Sequence, residues 1–267
     1  MAVDHYENFP VASVLLPRRL RYPVTLIYRF AREADDFADE GSAESGVRLG
    51  QLDQFRRQLR RIETGVAPEI PWFSELAAVI DDFGLPLSAF DDLLSAFSQD
   101  VIQTRYATFD DVLDYCRRSA NPVGRLMLVL YGAVGPQQFA WSDAICSSLQ
   151  LINFLQDVEV DWRKNRVYLP QDEMQRFGVE DDQIARHESG TRWSRLMAFQ
   201  VDRARALLES GAPLGRALKG RVGLEIRMIM AGGSRILDKI ERANGDVFRY
   251  RPVLRPLDWP LMLARAL

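Results

Sequence analysis

Apolar positions along this chain return every three or four residues over long stretches, and no segment alternates cleanly between apolar and polar, so the pattern predicts helices and no convincing strand. Val24, Ile27, Ala31, Ala34 and Ala38 mark a first helix, ended by Gly41 and Gly46. A second is expected over residues 45–63, with Leu49, Leu52, Phe55, Leu59 and Ile62 inward and Arg56, Arg57, Arg60 and Arg61 on a solvated face. Others are predicted over 72–83, 88–104 and 109–118, the last with Asp110 and Asp111 where the helix dipole favours them. After a break at Asn121-Pro122 follow helices over 123–133 and 137–161, then 192–208 and 214–242, the latter softened at Gly232-Gly233. These elements predict one all-α domain over residues 1–267, its helix faces lining a central cavity.

Two acidic clusters interrupt this pattern. Asp35 and Asp39 repeat at an interval of four, as do Asn153, Asp157 and Asp161, so each set lines one face of a helix. Tyr28 and Arg32 extend the first stripe; a solvated face with an Arg32 to Asp36 pair is a simpler account of it. Cys146 and Gln150 extend the second, which runs through Leu149, Leu151, Ile152, Phe154 and Leu155 and is poorly explained as surface. Carboxylates in an apolar setting need partners. If the ledges face each other, hard divalent cations shared with an anionic ligand would relieve their repulsion, and neutral and anionic oxygens suit Mg²⁺. Beyond the second stripe come Arg163, Lys164 and Arg166, then Tyr168 and Pro170. Such cations could grip diphosphate oxygens, or simply complement a helix C-terminus.

Composition narrows the classes. With 34 basic and 37 acidic residues among 267, a net charge of −3 supplies no field for nucleic acid, and none is expected as a partner. Cys116 and Cys146 are too few for a disulfide framework or a zinc site and fit a reducing compartment. Residues 1–10 have no apolar run resembling a secretory signal, and the longest uncharged apolar stretch, 126–142, contains glycine, proline and glutamine and is too short to span a bilayer. The expectation is a cytoplasmic chain. Residues 256–267, with Trp259, Leu261, Met262 and Leu263 between Arg255 and Arg265, read as a docked terminal helix that could also touch a membrane surface. Phosphate loops, dinucleotide fingerprints and nucleophile elbows are missing, and neither His5 nor His187 follows a glutamate by three.

These motifs resemble those of the squalene/phytoene synthase family, the head-to-head trans-isoprenyl diphosphate synthases. The likeness runs from about residue 8 to 252: Tyr28 and Arg32 before Asp35 and Asp39; Tyr115, Ala120 and Gly124 in mid-chain; Asn153, Asp157 and Asp161; then Arg166, Tyr168 and Pro170. The resemblance implies an isoprenoid synthase fold, with Mg²⁺ held by Asp35, Asp39, Asn153, Asp157 and Asp161. It further implies catalytic roles for Tyr28, Arg32, Tyr115, Arg166 and Tyr168, and substrate contacts from Asn8, Arg32, Ala120, Gly124, Gln150, Arg163 and Lys164. The chain departs from the family pattern at Gln156, where an arginine is usual, at Asn121-Pro122, and at Asn8-Phe9-Pro10, where relatives place serines. In these departures it is similar to the hydroxysqualene synthase branch of bacterial hopanoid pathways.

That likeness implies ionisation of presqualene diphosphate and capture of the rearranged cation by water, without a hydride donor. A condensing synthase joining two prenyl diphosphates, and a non-catalytic helical scaffold, are the alternatives. So apolar a substrate makes peripheral contact with the inner membrane plausible. Oligomeric state is open.

Overall fold

The computed structural model describes residues 16–39 and 43–267. Asn8 and Gly41 therefore lie outside the described residues. Within them the chain is helical: α1 (Arg18–Asp39), α2 (Ser45–Glu63), α3 (Pro71–Phe83), α4 (Leu87–Ile102), α5 (Phe109–Ser119), α6 (Asn121–Tyr131), α7 (Pro136–Gln156), α8 (Val158–Arg163), α9 (Gln171–Phe177), α10 (Asp181–Ala185), α11 (Thr191–Ser210), α12 (Leu214–Ala217), α13 (Gly220–Arg242) and α14 (Trp259–Ala266). Among the described residues the only extended pairing is an isolated parallel bridge between Arg105 and Val167, and no helix is long and apolar enough to cross a membrane.

Two apolar clusters build the core. Phe30 of α1, Phe55 of α2, Phe73 of α3 and Phe90 of α4 pack ring to ring in the first, with centroids 4.9 to 5.9 Å apart. The second gathers α5, α7, α11 and α13 around Ile152, Leu155, Trp193, Leu196 and Leu237. Tyr131, at the end of α6, packs against both. The acidic ledges stand at this seam, one on each side.

Local chemistry explains most boundaries. Thr108 and Asp111 form a reciprocal capping box that starts α5, and α6 begins at Asn121 because Pro122 is tolerated in a first turn. Two expectations need correcting. The helix predicted over 137–161 ends at Gln156 and restarts as α8. Its spacing nevertheless survives, because Asp157 N–H donates to the Asn153 carbonyl (2.9 Å) and Asp161 N–H to that of Asp157 (2.8 Å). The helix predicted over 214–242 breaks near Leu218 and Lys219, not at Gly232-Gly233. At Gly223 a Cβ would lie 2.0 Å from the Leu218 carbonyl oxygen, so the turn needs a bare backbone there. Gly233 instead lets α13 approach Leu149 and Ile152 of α7. The short α9 and α10 were not anticipated; too few turns repeat for a periodicity to register.

The expected docking of the last helix is observed: Met262 and Ala266 are buried, and Arg227 donates to the Ala266 carbonyl (2.5 Å). Asp258, at its start, is buried between Arg235 (2.7 Å) and Lys239 (2.5 Å). Burial alone would raise its pKa, but Lys239, the Arg255 N–H and Arg235 hold it well below the usual carboxylate range. A folded-state pKa below the unfolded one contributes stability above about pH 4 that is lost as pH falls through the depressed value. Asp258→Ala is expected to lose ~3 kcal/mol in urea unfolding at neutral pH. Its deficit against the unsubstituted chain should shrink when the melts are repeated in strong acid.

Candidate active site

The site is organised by Arg166. Asn165 adopts a left-handed conformation (φ 59°), turning the chain back after α8, and the Arg166 N–H donates to the Asp161 carbonyl (2.8 Å). Its buried guanidinium then reaches Asp39 at the end of α1 (2.5 Å) and the Asp100 carbonyl of α4 (3.0 Å). Lys164 joins it on the other oxygen of Asp39, at 2.6 Å. One carboxylate of the first ledge is thus clamped by two of the cations expected beyond the second, more than a hundred residues away.

The charges are unequal in their comfort. Burial works against ionising Asp39, yet Arg166 and Lys164 prevail and lower its pKa. Asp35 fares differently: although part of its side chain still reaches solvent, burial and then the charge of Asp39 push it up to about 7, only partly offset by Arg32. Asp161 is driven well above its ordinary value by burial and by Asp157. Asp157 accepts from Nε and Nη2 of Arg251 in a bidentate pair, the longer contact being 3.1 Å. The seam therefore holds more buried carboxyl groups than its own cations keep ionised. Among the described residues, no three histidine, cysteine, aspartate or glutamate side chains already converge on one point tightly enough to hold a metal. An all-oxygen donor set with two carboxylates this reluctant to ionise fits a hard cation that keeps water or phosphate oxygens as its other ligands.

Behind the ledges lies an aromatic wall. Tyr115 of α5 and Tyr168 both donate to Asp100, the latter at 2.8 Å. Tyr168 stacks on Phe154 with centroids 3.8 Å apart, and Tyr106 lies 5.4 Å from Tyr168. Burial, then the neighbouring Asp100, raises the pKa of both donor tyrosines well above 10, so each keeps its proton. Burial likewise pushes Asp100 up to about 6, against the pull of Arg166. Phe154, Tyr168 and Gln200 also border a small cavity beside Phe109 and Leu151.

The remaining sequence candidates divide. Arg32 stays on its own helix, 2.8 Å from Asp36 and 3.4 Å from Asp35. Tyr28, Gln150 and Asn153 are half-buried on the expected stripes. Arg163 is exposed and pairs with Glu159, outside the cluster around Asp39. Ala120 caps the junction of α5 and α6. Gly124 marks the close crossing of α6 on α7, where a Cβ would lie 2.4 Å from Ser142 Oγ and 2.5 Å from Cys146 Sγ. Gln156, 1% exposed, donates to the Pro252 carbonyl (2.5 Å), while the adjacent Arg251 brings a guanidinium to Asp157.

Two residues of this constellation were missed from sequence. Asp100 stands two positions before the end of α4 with no acidic neighbour at helical spacing, and its 5% exposure has no linear signature. Arg251 lies in an irregular segment, 94 residues beyond Asp157. The run of four arginines from 249 to 265 was the only hint.

Two acidic ledges facing each other across the seam of an all-helical core define an isoprenoid synthase architecture. A profile of the squalene/phytoene synthase family matches residues 2–258, and this chain belongs to that family. It is 35% identical over 255 residues to the hydroxysqualene synthase of Rhodopseudomonas palustris, spanning 95% of this chain and 85% of the relative. To the 15-cis-phytoene synthase of Synechococcus elongatus it is 30% identical over 276 residues, spanning 97% and 89%. The crystal structure of squalene synthase HpnC from Alicyclobacillus acidocaldarius matches with a TM-score of 0.83 and 35% identity over 90% of each chain. The family acts on prenyl diphosphates.

Asp100 should be energetically coupled to the tyrosines it receives. A double-mutant cycle of Asp100→Leu and Tyr168→Phe, read by urea unfolding, is expected to show about 1–2 kcal/mol of coupling. Additive losses would mean that the Tyr168 to Asp100 bond contributes nothing.

Proposed function

We propose that this enzyme ionises presqualene diphosphate and captures the rearranged cation with water, giving hydroxysqualene and diphosphate. The carrying observation is the convergence of Asp39, Lys164 and Arg166 on one point of the seam, close enough to Asp35 of the first ledge and Asp161 of the second for the charge of Asp39 to act on both. In the reaction a carbon–oxygen bond breaks and its electron pair leaves with the diphosphate. A water oxygen then bonds to the rearranged carbocation, and its proton passes to solvent.

The chain's own groups divide this work. Arg166 and Lys164 present N–H donors where the leaving oxygens gain charge, and Arg32 adds a third cation on the α1 side. Tyr115 and Tyr168, anchored on Asp100, hold their hydroxyls as donors and keep the wall behind them closed. Phe154 and Tyr168 stack on each other, so this pair supplies a dry wall and ring edges more than open faces toward a cation. Asp35, Asp39, Asn153, Asp157 and Asp161 are the groups that would hold Mg²⁺, which when bound neutralises the diphosphate and so favours its departure. Arg163 and Gly124 are better read as a surface pair and a helix crossing; Asn8 is carried only by its place in the motif.

The choice of water capture over condensation is supported by the hydroxysqualene synthase relative and by Gln156, whose amide is turned to Pro252 and adds no charge to the site. Condensation of two prenyl diphosphates is the second reading, favoured by the phytoene synthase relative. Arg251 keeps that reading in view, because it restores near Asp157 a guanidinium that position 156 lacks.

Incubating the purified chain with Mg²⁺ and presqualene diphosphate, without NADPH, is expected to yield hydroxysqualene by mass spectrometry; farnesyl diphosphate alone should yield nothing. A C30 or C40 hydrocarbon or diphosphate from the shorter substrates would establish condensation instead. Asp35→Ala and Asp157→Ala should each cut turnover ~100-fold or more while circular dichroism retains the helical signal. Full activity in either variant would remove that residue from the site.

A further inference from the structure

The turn that aims Arg166 is itself fastened from outside the site. Asn165 N–H donates to the Trp162 carbonyl (2.8 Å) and Arg166 N–H to that of Asp161 (2.8 Å), the paired bonds that close a helix on a left-handed residue. The Asn165 carbonyl accepts from Nη1 of Arg105 at 2.8 Å. The same nitrogen donates to the Thr104 carbonyl at 2.9 Å, while Nε and Nη2 both reach one oxygen of Asp181, at 3.0 and 2.9 Å. The guanidinium also stands over the Trp162 ring, 5.4 Å from its centroid. Arg105 thus joins three pieces of chain: the segment after α4, the turn after α8 and the first residue of α10.

The chain that leaves the turn runs beside Arg105. Val167 pairs with Arg105 in the isolated bridge, its N–H donating to the Thr104 carbonyl (2.9 Å), and Gln171 N–H donates to that of Tyr106 (2.9 Å). In an extended run alternate side chains share a face. Arg166 and Tyr168, on either side of Val167, accordingly reach the same neighbourhood: Arg166 meets Asp39 and the Asp100 carbonyl, and Tyr168 donates to the Asp100 carboxylate. Lys164, just before the turn, also reaches Asp39. The three side chains that the site draws from this stretch take their direction from backbone that Arg105 ties down.

The ion pair adds little to stability by itself, because the Arg105 and Asp181 side chains are 26% and 41% exposed. Its geometry is more demanding. A guanidinium fork with five donors can hold a carboxylate and two carbonyls at once, whereas a lysine ammonium has three donors on a single atom. None of these partners is a residue expected to hold metal or to grip diphosphate.

We propose that Arg105, anchored by Asp181, is a positioning residue that fixes the turn at Asn165 and through it aims Lys164 and Arg166 at the substrate's diphosphate, an assignment that rests on the diphosphate chemistry proposed above. Without the fork both cations are still present but misdirected. Affinity for the anion then falls although no gripping residue has been removed.

The test is calorimetric titration of the purified chain with inorganic pyrophosphate in the presence of Mg²⁺, which needs no prenyl substrate. Arg105→Gln should weaken binding roughly 10-fold, the scale on which outer partners of ligand-holding side chains act. Arg105→Lys, which keeps the charge without the fork, should recover little of that loss. In a chain already carrying Arg166→Gln, the further change Arg105→Gln should move the affinity less than ~3-fold, since the side chain it aims is gone. If Arg105→Gln loses helical signal in circular dichroism, Asp181→Asn takes its place in both backgrounds, with a smaller loss in the same direction. Full affinity in either Arg105 variant, or equal losses with and without Arg166, would overturn this assignment and leave the diphosphate site standing. Absence of pyrophosphate binding in the unsubstituted chain would overturn both.

Discussion

Carboxylates from α1 and α8 can share a desolvated seam only because the Arg166 guanidinium stands among them. Burial opposes its charge, but the carboxylates of Asp39 and Asp100 more than offset that and raise its pKa, so it is a cation at every accessible pH. With one side chain it joins the end of α1, where the helix dipole disfavours a lone aspartate, to the backbone of α4, while its own N–H is tied to α8. The two apolar clusters pack as separate assemblies of aromatic and aliphatic side chains, and this polar clamp spans the line between them. A buried ion pair of this kind is weak evidence for stability as such. Its stronger role here is geometric, since it sets where the two acidic ledges stand relative to each other.

Around that clamp the site separates what is settled from what is not. Asp39, Asp100 and Asp157 have their partners within the protein: Lys164 and Arg166, two tyrosines, and Arg251. Asp35 and Asp161 remain displaced toward the protonated form. The proposed function would use this division, with carboxylates already paired inside the protein beside others whose remaining electrostatic demand a bound ligand would meet. The pair between Arg251 and Asp157 further ties the irregular segment before α14 to this frame.

Much of the fold was legible because each long helix carries its own record. The spacing of Leu52, Phe55 and Leu59 in α2, or the capping residues of α5, needs no distant partner to be read. Breaks were harder. Asp157 interrupts a helix whose apolar pattern runs straight through, and α13 begins where Gly223 meets the Leu218 carbonyl, a contact between backbones that no side-chain pattern reports. Among site residues, the ledges and Arg166 were visible by spacing and by family likeness. Asp100 and Arg251 were not, because a lone buried carboxylate and an arginine in an irregular segment look in sequence like ordinary surface charges.

By itself the sequence determined that the protein is helical, that two rows of oxygen-bearing side chains lie on helix faces, and that cations follow the second row. Those are local facts, governed by a repeat of 3.6 residues and by covalent proximity. Which carboxylate meets which cation was decided only by the tertiary structure. Asp39 finds Arg166 across 127 residues and Asp157 finds Arg251 across 94, and the packing of two core clusters selects these partners from many arginines of equal charge. The same packing bound Gln156 to the Pro252 carbonyl, set Gly124 at a helix crossing, and left one face of α14 exposed. Helical spacing fixes direction within an element, but burial and long-range pairing exist only once the elements meet.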